Sequence, residues 1–231
     1  MKRSGVGNMG QGGRGISAER LKQAAADVRT IAALGYPRDS VINFVGNRFQ
    51  LGRTERDILL RMAFSRADAE RRRKKMVRAG HLSGRRLIVD GYNVTITLES
   101  AMSGRLTVLA DDGFVRDVSR IFRSFRPTDQ TRQAWHLIFS FLKCYPPSQT
   151  LIFLDKPFSK SGELASRIRR WMEEAGLPGD CQAAAINERQ MGRMAGIKAS
   201  ADTVIIDESD MVFDLAGHII RRRLRIRPFR C

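Results

Sequence analysis

The run Leu87-Ile88-Val89 constrains the fold most, because three consecutive apolar residues stand between two arginines and an acid. A short apolar run without alternation is typical of a strand that is buried on both faces. Such strands occur mainly in parallel α/β sheets, where ligands bind beside the carboxyl ends of the strands. Asp90 and Gly91 follow directly, so an acidic side chain is predicted at that edge, although Asp-Gly is also typical of a simple turn.

A second apolar run supports a ligand site at this edge. Residues 150–154 are predicted to form another buried strand, and Asp155 follows it as Asp90 follows the first. In a parallel sheet the two carboxylates would emerge at the same edge. Asn93 can bring an amide oxygen beside Asp90, and oxygen ligands are those that Mg²⁺ or Mn²⁺ prefers.

The sequence around this strand resembles a known nuclease superfamily. Residues 87–94, Leu-Ile-Val-Asp-Gly-Tyr-Asn-Val, resemble the first strand of PIN-like nucleases, especially their NYN branch. Segments 110–117, 154–165 and 200–207 resemble an uncharacterised PIN-like family, and residues 34–49 resemble a small helical domain of unknown function that often precedes it. The resemblance implies a three-layer α/β domain with a mostly parallel central sheet, preceded by a small all-α domain. It also implies acids around divalent metal and cleavage of RNA.

The resemblance assigns roles to individual side chains. Asp90, Asp155 and Asp202 would be metal ligands and, together with Glu163, catalytic residues. Glu163 would hold a water beside the metal, and Asn93 would orient Asp90. The other side chains expected near the site are Ser159, Ser161, Asp112 and Glu188. The expected cofactor is Mg²⁺ or Mn²⁺, which can activate a water for in-line attack on phosphorus.

Several of these acids have simpler explanations. The helix dipole favours a glutamate such as Glu163 in the first turn of a helix. Asp111, Asp112 and Asp117 form a local acidic cluster, and a hairpin that contains Gly113 would explain two of them without a role in the site. Residues 203–206 are predicted to be a strand, so only one of its flanking acids, Asp202 and Asp207, can lie at the active edge; the resemblance favours Asp202, one residue later than in the usual Ser-Asp pattern.

The net charge of +17 indicates a polyanionic partner, and RNA is favoured. Residues 1–84 carry 18 basic and 7 acidic residues, residues 85–220 are balanced, and the last eleven residues carry six arginines and no acid. No apolar run approaches the ~20 residues of a membrane-spanning helix, so no membrane partner is expected. The three distant cysteines match no zinc spacing and favour a reducing cytoplasm. A DNA or protein partner remains open.

The basic flanks supply most of the predicted phosphate contacts. Five adjacent cations at 71–75 cover all sides of a helix and form either a solvated helix end or a phosphate-binding surface. The predicted nucleic-acid-binding residues are Arg71, Arg72, Arg73, Lys74, Lys75, Lys156, Lys160, Arg221, Arg222 and Arg223.

The chain is predicted to divide into four parts: a disordered Gly-rich tail at 1–16, a basic helical domain at 17–80, a PIN-like domain at 85–220 and a basic tail at 221–231. Three helices are expected in the helical domain, at 17–34, 39–49 and 54–77. In the PIN-like domain we expect strands at 87–90, 150–154, 181–186 and 203–206, helices at 129–142 and 161–175, and a hairpin near 111–113.

The function that this pattern favours is metal-dependent, endonucleolytic cleavage of RNA. No P-loop or Gly-x-Gly-x-x-Gly motif is present, and no histidine is well placed for acid-base catalysis. The main alternative is a non-catalytic RNA- or ribosome-binding protein with a degenerate PIN-like fold. A toxin-like regulator whose basic arms bind DNA or a partner protein is the third possibility.

Overall fold

The structure, a computed structural model, describes residues 17–119, 125–155 and 161–231. Within these ranges a five-stranded parallel sheet has the order β5-β4-β1-β6-β7, and β2 and β3 form a separate antiparallel hairpin. The predicted α/β class, with helices preceding the sheet, is confirmed. The strands are β1 Arg86–Asp90, β2 Thr107–Leu109, β3 Val115–Asp117, β4 Gln149–Asp155, β5 Gly179–Ala184, β6 Ile197–Ala199 and β7 Val212–Phe213.

The N-terminal region has four described helices where three were predicted. They are α1 Ala18–Ala32, α2 Arg38–Arg48, α3 Arg53–Met62 and α4 Arg66–Lys75. The expected helix at 54–77 is divided because Ser65 begins a new one, its hydroxyl accepting a hydrogen bond from the Asp68 N–H at 3.1 Å. The start of α3 also differs from the prediction: Gly52 is the N-cap, and its N–H donates to the Glu55 carboxylate at 2.8 Å.

Helices cover both faces of the parallel sheet. They are α5 Gly91–Met102, α6 Asp129–Cys144, α7 Ser161–Glu174, α8 Glu188–Arg193, α9 Thr203–Glu208 and α10 Leu215–Arg222, and a short 3-10 helix at Ala79–Leu82 precedes β1. Leu87 and Val89 pack into the core with α5, α6, α7 and α10. Ile88, which points to the other face, packs with Met191 of α8 and Ile205 of α9. Burial on both faces is what the run of three apolar residues predicted.

The predicted strand at 203–206 is wrong, because these residues form helix α9. Asp202 caps this helix, and its carboxylate accepts hydrogen bonds from the Val204 and Ile205 N–H groups at 2.8 and 3.1 Å. The strand beside β1 is instead β6, whose Ile197 and Ala199 lie opposite Leu87 and Val89. A short β-branched run cannot by itself distinguish a strand from a buried helix, and here the capping aspartate decides for the helix.

The helical region and the α/β region share apolar packing. The core of α1 to α4 includes Val108 of β2, Ala110 of the hairpin turn and Val118 after β3. The C-terminal segment also joins this hairpin: the Phe229 N–H donates to the Thr107 carbonyl at 2.8 Å, and the Leu109 N–H donates to the Phe229 carbonyl at 2.8 Å. Residues 221–231, predicted as a basic tail, therefore end in contact with β2.

No helix in the described ranges has the length and apolar character needed to cross a bilayer.

Candidate functional site

A cavity of about 210 Å³ lies at the carboxyl edge of β1, β4 and β6. Its described lining includes one acid from each of five places in the chain: Asp90, Asp117, Asp155, Glu188 and Asp202. Asp90, Asp155, Glu188 and Asp202 were predicted for the site, and Asp117 is the last residue of β3. The edge at which the sequence predicted acidic side chains is therefore the edge at which the structure brings them together.

Asp90 is the last residue of β1 and the N-cap of α5. Its Oδ1 accepts a hydrogen bond from the Asn93 N–H at 3.4 Å, and its Oδ2 accepts one from the Ser200 hydroxyl at 2.9 Å. Gly91 follows because α5 begins against β4: a Cβ at this position would lie 2.9 Å from the Phe153 carbonyl oxygen. The hydrogen bonds from Asn93 and Ser200 fix the direction in which the Asp90 carboxylate points.

Ser200 connects two of the acids. Its hydroxyl donates to Asp90, and its oxygen accepts a hydrogen bond from the Asp202 N–H at 3.0 Å. The Asn93 side chain holds the same segment, because its Oδ1 accepts from the Ala201 N–H at 3.0 Å. Asn93 was expected to orient Asp90 through its side chain, but only its backbone N–H does so. The predictions had no role for Ser200, although it lies between a strand and a capping aspartate.

The electrostatic environment favours the protonated form of Asp90. The pKa of Asp90 is raised to about 7: burial is the main cause, the negative charges of Asp202 and Glu188 add to it, and the hydrogen bonds from Ser200 and Asn93 oppose it. Burial, together with the negative charge of Asp155, raises the pKa of Tyr92 to about 12. Uncompensated negative charge in a cavity is an environment in which a bound cation is stabilised.

The hairpin and helix α3 contribute two further residues, Asp117 and Arg61, to the site; the sequence indicated Asp117 only as part of an acidic cluster and gave Arg61 no role. Asp117 accepts a hydrogen bond from the Ser119 hydroxyl at 2.7 Å. Burial raises the pKa of Asp117, and the nearby Arg61 opposes that rise. Arg61, from α3, lines the same cavity and is exposed. The helical region therefore places a guanidinium group beside the acids.

Some predicted site residues lie elsewhere. Asp112 is fully buried and forms a two-contact ion pair with Arg116, at 2.7 and 2.8 Å, so its charge is used in the core. Glu163 is exposed on the first turn of α7, and Ser161 is buried where that helix begins; neither belongs to the described cavity lining. Ser159, Lys156 and Lys160 lie outside the described residues.

The basic helix α4 is partly a structural element. Arg72 is buried, and its guanidinium donates to both oxygens of Asp207 in α9 at 2.9 and 2.7 Å. The Lys75 ammonium donates to the Ile206 carbonyl at 3.0 Å. The prediction that Arg72 binds nucleic acid is therefore wrong for this arrangement, because its guanidinium is buried against α9. Arg73 and Lys74 are exposed, and their assignment stays a prediction.

The donor set of the cavity fits a hard divalent cation bound through few protein oxygens. The described acidic lining offers carboxylates, which are the ligands that Mg²⁺ and Mn²⁺ prefer. Among the described residues, no three acids, histidines or cysteines converge as closely as the ligands of one ion. Mg²⁺ commonly keeps several waters and binds through one or two carboxylates together with substrate phosphates. Asp90 and Asp202, which share Ser200, are the pair that fits this mode.

Comparisons with known proteins show the family. A family model described as a domain of unknown function (DUF5616) matches residues 79–218, and a second one, a protein of unknown function (DUF434), matches residues 20–75. An uncharacterized protein of Methanocaldococcus jannaschii is 28% identical over 202 residues, which span 87% of this chain and 96% of that protein. No solved structure matches the chain.

Proposed function

We propose that this chain, which belongs to the DUF5616 family, hydrolyses RNA phosphodiester bonds at its acidic cavity with the aid of Mg²⁺ or Mn²⁺. We further propose that its α/β part is a PIN-like domain. The observation that carries the proposal is that five carboxylates from separate parts of the chain line one cavity at the carboxyl edge of a parallel sheet. A cavity that gathers so many acids would repel a phosphate backbone unless a cation were bound there.

Each described residue has a distinct part in this proposal. Asp90 and Asp202 would hold the cation, and Asp155 and Glu188, which line the same cavity, would bind its waters. The cation, when bound, would polarise the phosphoryl group and lower the pKa of a water. Arg61 would contact a phosphate oxygen of the substrate, since a guanidinium recognises phosphate through directed N–H groups.

The RNA would reach the cavity along positively charged surface. The basic excess lies in residues 1–84 and in the last eleven residues, whereas residues 85–220 have no net charge. Contacts from such flanks to the phosphate backbone would supply affinity without sequence specificity. We place the protein in the cytoplasm, which accords with three free thiols at Cys144, Cys181 and Cys231.

The test is metal-dependent cleavage of a pool of labelled structured and single-stranded RNAs in Mn²⁺, Mg²⁺ or EDTA. Wild type should cut only with metal, and Asp90→Asn should lose that activity. Because Asp90 also caps α5, Asp155→Asn is the second variant: it removes the acid that ends β4 at the same edge of the sheet. Circular dichroism would establish that both variants fold.

Glu174→Gln is the matched control, since it removes one exposed acid on α7 away from the cavity. It should cleave as wild type does. Absence of cleavage in every metal would refute the proposal, as would wild-type cleavage by folded Asp90→Asn and Asp155→Asn.

A second candidate function is RNA or ribosome binding without catalysis. The observation that favours it is that no three carboxylates among the described residues converge on one point. Tight, salt-sensitive RNA binding that is unchanged in the Asp90 and Asp155 variants, without cleavage, would support it.

A further inference from the structure

A second cavity, of about 410 Å³, lies where the end of α4 meets β7 and α10. The Val77 N–H donates to the Val212 carbonyl at 2.9 Å, which attaches the segment that carries Arg78 to the edge of the sheet. Arg222 is the last residue of α10 and lines the same cavity. Arg78, which follows α4, and Arg222 of the basic C-terminal segment, distant in sequence, therefore line one cleft.

The single acid in the described lining of this cleft is already compensated. Asp214 caps α10 and accepts hydrogen bonds from the Gly217 N–H at 3.0 Å and the Val115 N–H at 3.2 Å. Arg221 lies 3.2 Å from the same carboxylate, so these two charges offset each other. The remaining charge of the lining is positive.

That positive charge comes from two arginine side chains. Arg78 and Arg222 are exposed, and within the described ranges neither guanidinium group forms a hydrogen bond or an ion pair. Two guanidinium groups at one cleft repel each other unless an anion lies between them. Phosphate is the anion that matches guanidinium geometry, because two parallel N–H groups can bind two of its oxygens.

His218 lines the same cleft. Its ring packs against Phe141 and Phe213, with centroid distances of 4.9 and 5.4 Å, so its orientation is fixed by aromatic neighbours. Burial lowers the pKa of His218, and Arg221, Arg222 and Arg223 lower it further. A neutral imidazole can donate one hydrogen bond to an anion. The cleft volume falls in the range of about 300–1,000 Å³ that is typical of ligand sites.

We propose that Arg78, His218 and Arg222 form a phosphate-binding site, separate from the acidic cavity, and that the RNA backbone supplies its phosphate. The RNA source rests on the proposed function, whereas recognition of the phosphate group does not. The site would hold the substrate away from the acids, so that the strand is fixed at two points.

The experiment follows the ring signals of His218 by NMR in EDTA, where no metal-dependent cleavage occurs. One titration uses inorganic phosphate, and the other uses a short single-stranded RNA without terminal phosphates. Both should shift the His218 signals in a saturable way. Arg222→Gln and Arg78→Gln should each weaken this binding by about tenfold or more, because each removes a charge-assisted contact.

Arg227→Gln is the matched control, since Arg227 is an exposed arginine of the same segment outside the cleft lining. It should change the affinity by less than about twofold, because no direct phosphate contact is removed. Unshifted His218 signals with both ligands, or equal weakening by Arg227→Gln, would overturn the site. A response to inorganic phosphate alone would support the site and exclude RNA as its source. Loss of the proposed nuclease function would appear only in the cleavage assay, which leaves the His218 result unaffected.

Discussion

Arg61 brings a positive charge from helix α3 into a cavity that five carboxylates line. Under the proposed function it contacts a substrate phosphate, so Arg61→Ala should raise the KM for RNA by about tenfold, the worth of one charge-assisted hydrogen bond. Binding of the same RNA in EDTA should weaken in parallel. Steady-state cleavage and fluorescence anisotropy would measure the two effects.

Arg53→Ala is the control for Arg61, because Arg53 is an exposed arginine on the same helix but outside the acidic cavity. Its effect on KM should stay within about twofold, as expected for a general loss of one surface charge. An equal effect of the two substitutions would contradict a specific phosphate contact by Arg61.

Asp90 should make the stability of the metal-free protein depend on pH. Its pKa is raised from 3.8 in the unfolded reference to about 7 in the fold, so the folded state holds a proton that the unfolded state has lost between these values. Stability contributed by this group is therefore lost as pH rises from about 4 to about 7. Asp90→Asn cannot titrate, and its free energy of unfolding should lack this decline.

Urea unfolding in EDTA at several pH values would measure the difference between wild type and Asp90→Asn. Titrating groups that do not interact with Asp90 cancel in that difference, whereas Asp202 and Glu188, whose charges act on Asp90, contribute to it. A difference that stays constant from pH 4 to pH 8 would show that folding does not change the pKa of Asp90.

At the scale of elements, the sequence predicted those strands whose burial is unambiguous. The consecutive apolar runs of β1 and β4, each ending in an acid, identified both the sheet and the edge that carries the acidic cavity. The run at 203–206 is also mostly apolar but forms a helix, and a capping carboxylate satisfies its first N–H groups. Helices α3 and α4 were predicted as one helix for a related reason. The only local signal of the new helix is Ser65, whose hydroxyl accepts a hydrogen bond from the Asp68 N–H.

Site residues that depend on tertiary packing could not be predicted in this way. Arg61 and Asp117 reach the cavity only because the hairpin packs against the N-terminal helices. Asp112 was predicted for the site because it stands in an acidic cluster, yet it is buried in an ion pair with Arg116. Local sequence shows that a residue is acidic, but tertiary packing determines which residue it pairs with.

The contact between α4 and α9 connects the helical region to the acidic cavity. Arg72 of α4 binds Asp207 at the end of α9, and Asp202 caps the other end of that helix. The guanidinium of Arg72 also lies over the Phe64 ring, 4.7 Å from its centroid. Displacement of α9 would therefore move Asp202.

Arg72→Ala should destabilise the protein by about 2–3 kcal/mol, since a buried guanidinium and its charge-assisted hydrogen bonds are lost. Urea unfolding would measure this loss. Asp207→Ala should cost a similar amount, and the double variant should be little worse than either single one. Additive effects would show that the two side chains do not interact.

Arg73→Ala is the control for this pair, because Arg73 is the neighbouring arginine and is exposed to solvent. Its change in stability should stay below about 0.5 kcal/mol. If both Arg72→Ala and Arg73→Ala lie in that range, α4 is not attached to α9 through Arg72.

At the scale of the whole molecule, the helical region and the α/β region are not independent of each other. The basic residues are concentrated at the two ends of the sequence, yet both ends pack against the same β2–β3 hairpin. The hairpin in turn supplies Asp117 to the acidic cavity. The helical region thus contributes to the site through Arg61 and supports it through the hairpin.

A chain without its N-terminal helices should therefore fold poorly. Deletion of residues 1–76 would expose the hairpin residues Val108, Ala110 and Val118, which are buried against α1 to α4 in the intact protein. Such a patch favours aggregation, so we expect a lower thermal midpoint and aggregation in light scattering. A separate peptide of residues 17–76, added in trans, should reverse both effects by covering the hairpin. A truncated chain that stays monomeric and unfolds at the wild-type temperature would show instead that the α/β domain is stable alone.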